Sequence, residues 1–286
     1  MNPDPRDVRE LLAFYRDAGV DAVIGEEPVD RMAEEPAAPP IAEKPAAPAR
    51  EAAAGRAQVR EYFQEPRRPS PPVAAPAAPP PPEVAAGAAR EAAKGAQTLD
   101  ELRALLEGFH GCALRGTATQ LVFADGNPQG RVMFVGEAPG YEEDLSGKPF
   151  VGRSGKLLDL MMAAIGLDRG SAYIANVVPW RPPGNRTPTP QETAICLPFI
   201  RRQIELAGPD VLVCLGGPAA QTLLGIKDGI TRMRGRWFPY DAGGRDIRAL
   251  ATFHPAFLLR SPLQKRLAWR DFLAIKKALA ASPPRA

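Results

Sequence analysis

The sequence predicts an α/β fold: a three-layer αβα sandwich with a central, mostly parallel four-stranded sheet, preceded by a disordered Pro/Ala-rich segment. Three observations carry this expectation. Four short apolar runs have the length and composition of buried strands: residues 131–135 (RVMFV), 172–178 (AYIANVV), 210–215 (DVLVCL) and 247–253 (IRALATF). Segments of helical periodicity alternate with them, near 156–165, 190–206, 218–224 and 263–280. Such alternation favours parallel strands covered on both faces. Finally, residues 31–96 hold 14 of the 33 prolines and few large apolar side chains, so they cannot bury enough surface to offset the entropy of ordering.

In chain order, residues 5–17 (PRDVRELLAFYRD) place Val8, Leu11, Leu12 and Tyr15 at helical spacing. One short amphipathic helix builds no core of its own. Residues 1–30 are therefore expected to be a peptide that docks on a protein partner, or else one that folds back on the domain. Residues 31–96 are the linker, and 97–286 a domain long enough for one substantial core. The domain opens at Thr98, where TLDE has the pattern of a capped helix running through Leu106. Charge is divided unevenly, with −4 on residues 1–96 and +7 on residues 97–286. A basic domain suits a polyanionic partner. Three cysteines are too few and odd in number for a disulfide framework, and none is expected. With no secretory leader and no apolar run long enough to cross a bilayer, the expectation is a cytoplasmic monomer with no membrane partner.

Chemistry is expected in the loop after the first strand, residues 136–155 (GEAPGYEEDLSGKPFVGRSG). In open α/β sheets, ligands bind at the carboxyl ends of the strands. Glycines here let backbone approach a ligand, and Glu137, Glu142, Glu143 and Asp144 place carboxylates beside it. A phosphate-binding loop does not fit, because Arg153 stands where lysine belongs and Pro149 removes an amide. Asn176 lies inside an apolar strand, where its amide needs a partner. His254 ends the fourth strand, with Pro255 and Arg260 close behind. Residues 181–190 (RPPGNRTPTP) make a rigid basic loop after the second strand, so three loops converge on one sheet edge. Each feature also has a plain structural reading: turn glycines, a backbone-bonded asparagine, a strand-end histidine.

The runs GEAPGxxED, PFVGRSGKLLD, IANVVxxRPPGNRxPTPxE and HPAFLLR, in this order between about residues 98 and 275, resemble the family 4 uracil-DNA glycosylases. The resemblance implies an enzyme that flips uracil, or another deaminated base such as hypoxanthine or xanthine, out of DNA and hydrolyses its glycosidic bond. It implies that Gly136 and Ala138 line the base pocket, that Phe150 stacks on the base, and that Asn176 bonds its edge. His254 would donate to the uracil O2 as charge develops there. Glu143 and Glu137 would place water or stabilise the sugar cation, Asn185 matches a family asparagine near the catalytic site, and Tyr141 is a candidate wall against a 5-methyl group. Arg186, Leu258, Leu259 and Arg260 would grip the DNA, the leucines as a wedge.

The family also implies a [4Fe-4S] cluster held by four cysteines. Here only Cys112 and Cys196 remain, and Phe109 and Trp180 stand at the other two positions. No cluster is expected, since such clusters take four thiolates. A residual zinc site using His110, Cys112 and Cys196 is the alternative. No lysine lies in the matched motifs to form a Schiff base, so a monofunctional glycosylase is expected. Two rivals remain: a catalytically weak DNA-damage binder, and a repair-complex adaptor built around the N-terminal peptide and linker.

Overall fold

A computed structural model describes residues 82–281. The docking peptide expected at 1–30 and the linker up to residue 81 lie outside the described residues. In chain order the helices are α1 (Pro82–Gly95), α2 (Leu99–Gly108), α3 (Tyr141–Ser146), α4 (Arg153–Ala163), α5 (Pro190–Ala207), α6 (Gly217–Leu224), α7 (Ile230–Met233), α8 (Pro255–Arg260) and α9 (Lys265–Ala281). The strands are β1 (Asp125–Gly126), β2 (Val132–Gly136), β3 (Ala172–Asn176), β4 (Val211–Leu215), β5 (Trp237–Asp241) and β6 (Asp246–Thr252).

The strands form one sheet in the order β1-β3-β2-β4-β6-β5. The four strands expected from the apolar runs are its centre, β3, β2, β4 and β6, and all pair in parallel. Two further strands correct the expected count. β1 and β5 close the two edges antiparallel. β5 escapes a pattern search because Pro239 interrupts it, and only Tyr240 of its five residues is buried. Proline removes a ladder donor and is tolerated at a sheet edge, where β5 lies.

Alternation along the strands sorts side chains into two layers. Met133 and Val135 of β2 join Tyr173, Leu212, Cys214 and Ala249 in the core under α1, α2 and α5. Val132 and Phe134 face the other way, with Ile174, Val213 and Leu250, against α4 and α9. Phe134 and Phe272 stack there with ring centroids 5.9 Å apart.

The N-terminal boundary also needs correction. Residues 82–95, expected to belong to the linker, form α1 and pack on α5. Ala85, Ala89, Ala93 and Ala96 are all buried. The spacing of the first three puts them on one face of α1, where small side chains allow close approach, and Ala96 follows just past the helix end. Arg202 of α5 ties down the end, donating from Nε and Nη2 to the Ala96 carbonyl at 2.9 and 2.8 Å. The Thr98 cap is formed, its Oγ1 accepting from Glu101 N–H at 3.1 Å. Among the described residues no helix is long and apolar enough to cross a membrane.

Ala89→Leu would overpack the α1–α5 contact and lower stability by about 1–3 kcal/mol, read as a lower urea midpoint at unchanged m-value. Gly87→Ala meets no atom within 4 Å and is expected to raise stability by about 0.5–1 kcal/mol.

Candidate active site

The chain leaves β2 for β3 on one side and then crosses back to β4 on the other, so strand order reverses at β2. Ligand clefts form at such switch points. Here a cleft of about 530 Å³ opens at the carboxyl ends of β2, β3, β4 and β6. It is lined by Glu137, Ala138, Glu143, Phe150, Asn176, Asn185, Arg186, His254 and Arg260 among others. Most residues expected from separate loops therefore share one cavity.

Gly136 ends β2 and is itself buried. A Cβ there would lie 2.5 Å from Asn176 Oδ1 and 2.6 Å from Phe150 Cζ, so only glycine lets both side chains close over the strand end. Phe150 is buried and holds a left-handed backbone, φ 56°. For a bulky residue that conformation is strained and must be held by its surroundings. Arg169 holds it, donating to the Pro149 carbonyl at 3.2 Å and to the Phe150 carbonyl. Arg169 is fixed in turn by Asp125 at 2.6 Å and Asp159 at 2.9 Å. The Phe150 ring faces His254, centroids 5.4 Å apart.

Two buried side-chain oxygens among the described residues accept no hydrogen bond: Asn176 Oδ1 and Glu137 Oε1. Both belong to this cleft. The plain reading of Asn176 as a backbone-bonded amide does not account for its Oδ1, which has no partner on a residue that lines the cleft. Burial raises the pKa of Glu137 above the ordinary carboxylate value.

His254 caps α8, its Nδ1 accepting from Ala256 N–H at 3.1 Å. An accepting Nδ1 carries no proton, so the neutral ring holds its proton on Nε2. Burial first, and then the Arg260 charge, push the His254 pKa down to about 4, against a smaller upward pull from Glu143. At neutral pH this side chain is an uncharged donor. Gly216, with φ 93°, lies behind it, and a Cβ there would come within 3.1 Å of His254 Cβ.

Glu143 is engaged differently from the expectation that it places water. Its Oε1 accepts from Val151 and Gly152 N–H, both at 3.0 Å, and its Oε2 from Gly140 N–H at 3.1 Å. Three of the roughly four acceptor sites of a carboxylate are thus used by backbone. Asn185 is exposed, also left-handed at φ 56°, with its Oδ1 accepting from Arg181 Nε at 2.7 Å. Arg181 lies over the Tyr141 ring, 4.9 Å from its centroid, and 3.9 Å from buried Asp144, whose carboxylate accepts from Thr119 N–H and hydroxyl at 2.8 Å each. Asp144, expected to place a carboxylate beside a ligand, is instead used inside the fold, and the contact of Arg181 with Tyr141 and Asp144 is not legible in the sequence. Tyr141 itself is exposed and does not line the cleft as a wall.

The DNA-gripping set is split. Arg260 is exposed at the cleft, whereas Arg186 is paired with Glu192 at 2.7 and 2.8 Å. Leu258 is fully buried with Phe253 and Ala268, which corrects its expected role as a wedge. Leu259 is half-buried. Residues 256 and 257, rather than 258, turn toward the cleft, because successive helix positions are a hundred degrees apart.

Cys112 and Cys196 sit side by side in the core, with sulfurs 4.0 Å apart. Cys196 donates to Cys112, which holds the Cys112 pKa below its ordinary value and Cys196 well above. Trp180 is buried, and the Phe109 ring packs edge-on against Phe199 at 5.0 Å. Two thiols and two aromatics do not fit a cluster that takes four thiolates. His110, the third candidate zinc ligand, instead faces Arg115, Nδ1 to Nη1 2.8 Å.

Residues 123–273 match the model of the uracil DNA glycosylase superfamily. The type-4 uracil-DNA glycosylase of Archaeoglobus fulgidus is 39% identical over 192 residues, covering 66% of this chain and 96% of the relative. That of Thermotoga maritima is 47% identical over 152 residues, 52% of this chain and 77% of the relative. That of Saccharolobus solfataricus is 37% identical over 177 residues, 60% and 82% respectively.

In a proton-detected NMR titration the His254 ring is expected to titrate near 4 rather than 6.5, and Arg260→Ala to raise the midpoint. The sign for stability follows from the lowered pKa. The unfolded chain takes up the proton first, so stability from this residue is complete above pH 6.5 and is lost as pH falls toward 4. The urea midpoint should decline across that window less steeply in His254→Gln.

Proposed function

The chain belongs to the uracil DNA glycosylase superfamily, and we propose that it excises uracil from DNA by hydrolysing the bond between N1 of the base and C1′ of the sugar. Water adds at C1′, uracil leaves, and an abasic site remains. The observation that carries this reading is the pair of unpartnered buried oxygens on Asn176 and Glu137, in one cleft with an uncharged histidine donor.

Uracil presents an N3–H donor between two carbonyl acceptors. The free Oδ1 of Asn176 suits the N3–H, and the same amide's NH₂ suits the neighbouring carbonyl. Cytosine has no proton at N3, so the same amide would leave a buried acceptor facing an acceptor. Phe150 supplies the stacking face. As the glycosidic bond lengthens, negative charge collects on O2, and the Nε2–H of His254 donates to it. A preorganised donor of this kind is worth about 2.7–4 kcal/mol of barrier.

Glu137 orients the attacking water and stabilises positive charge on the sugar, since it keeps an oxygen free. Glu143 acts through position: it ties Gly140 to Val151 and Gly152 and so fixes the loop that carries Phe150. Asn185 borders the cleft with its NH₂ available. The protein works without an iron-sulfur cluster, because the packing of Trp180, Phe109 and Phe199 fills with apolar contact the region where further ligands would stand.

Incubation with a labelled uracil oligonucleotide followed by alkali should give strand breaks, with kcat falling about 100-fold or more in His254→Ala. An inactive wild type that still binds the same DNA would instead favour a damage-binding protein. Freshly purified protein should be colourless; a broad band near ~400 nm would mean that a cluster is bound after all.

A further inference from the structure

An enzyme that draws a base out of a duplex leaves a gap between two base pairs, and an apolar side chain pushed into the gap keeps the base from returning. Such a side chain must be exposed in the free protein, stiffly mounted, and flanked by cations that hold the backbone on either side. Leu258 fails the first requirement, being fully buried in the core with Phe253 and Ala268. Drawing it out would open a cavity in that core, as deleting a core leucine does.

Leu263 meets all three. It is 85% exposed, more than any other large apolar side chain among the described residues. It sits at the centre of a 3-10 turn, Pro262–Gln264, between α8 and α9. Pro262 fixes the backbone on entry. The turn is braced by Ser261 N–H on the Phe257 carbonyl at 2.9 Å and Gln264 N–H on the Ser261 carbonyl at 3.0 Å. Three residues of chain, at most about 10 Å, separate Leu263 from Arg260 at the cleft.

The surroundings point to an anion. Arg260, Lys265 and Arg266 are exposed, and none is in an ion pair among the described residues. Lys265 and Arg266 open α9, whose first turn holds no acidic residue. The positive end of the helix dipole disfavours cations there, so the helix itself gains nothing from them. A phosphate backbone lying across this end would make both favourable.

We propose that Leu263 is the wedge that fills the stack after base flipping, with Arg260, Lys265 and Arg266 holding the flanking phosphates. The inference rests on the excision reading above and assigns the wedge to a turn beyond the HPAFLLR run. Single-stranded DNA has no paired stack to close, so the wedge matters only in duplex.

The test compares single-turnover excision from one uracil sequence, single-stranded and duplex, by the full-length wild type, Leu263→Ala and Leu259→Ala. Leu263→Ala is expected to lose about tenfold or more on duplex and to keep wild-type rates on the single strand, with an unchanged melting temperature. A large planar hydrocarbon opposite the uracil, which itself crowds the base out, should restore much of the duplex rate. Equal loss on both substrates, no loss on duplex, or a duplex-selective loss in Leu259→Ala instead would each overturn the assignment. A wild type inactive on both strands would overturn the excision reading, and this inference with it.

Discussion

The cleft depends on one carboxylate. Glu143 gathers three backbone N–H groups from two points of the chain eleven and twelve residues apart: Gly140, which caps α3, and Val151 with Gly152, which lead into α4. Buried backbone donors must be satisfied, and a charged acceptor satisfies them strongly. Between these tie points runs the segment that ends in Phe150. Arg169 secures the other side of that segment through the Pro149 and Phe150 carbonyls. The strained backbone at Phe150 is thereby held from both sides in the chain, which keeps its ring at the end of β2.

Everything else in the cleft is referred to that strand end. The parallel register sets Gly136 opposite Asn176, and β4 and β6 bring Gly216 and His254 alongside. Chemistry is then divided among groups with different electrical character. The histidine is kept neutral by burial and by Arg260, and the glutamate at 137 is partly desolvated. An uncharged donor is the better partner for a base that starts neutral and leaves as an anion, because it does not bind the ground state by charge alone.

How much of this was legible in the sequence follows from the range of the forces involved. The central strands were legible because each is a short, wholly apolar run buried on both faces. β5 was not, since Pro239 and exposed positions break its pattern, and its place comes from pairing with β6. α1 is not legible, because its segment follows a proline-rich run and carries few large apolar side chains; its three buried alanines form a packing face only once α5 is opposite. Asn176, Phe150 and His254 were legible through ordered motifs. The clamp by Arg169 was not, because its partners Asp125, Asp159 and Phe150 are brought to it only by folding. The burial of Leu258 is not legible for a geometric reason: a run of letters does not reveal which helix face turns inward.

The unpartnered oxygen of Asn176 has a consequence for how this protein can evolve. A leucine or methionine at that position would remove a buried acceptor with no bond and add apolar contact beneath Phe150, making the empty fold more stable. In the proposed reaction it would also erase the contact that tells uracil from cytosine. Selection for robustness alone would therefore close the cleft from the inside, starting at this unpartnered amide. The polar flaw persists as the mark of a second requirement, one that folding by itself does not impose.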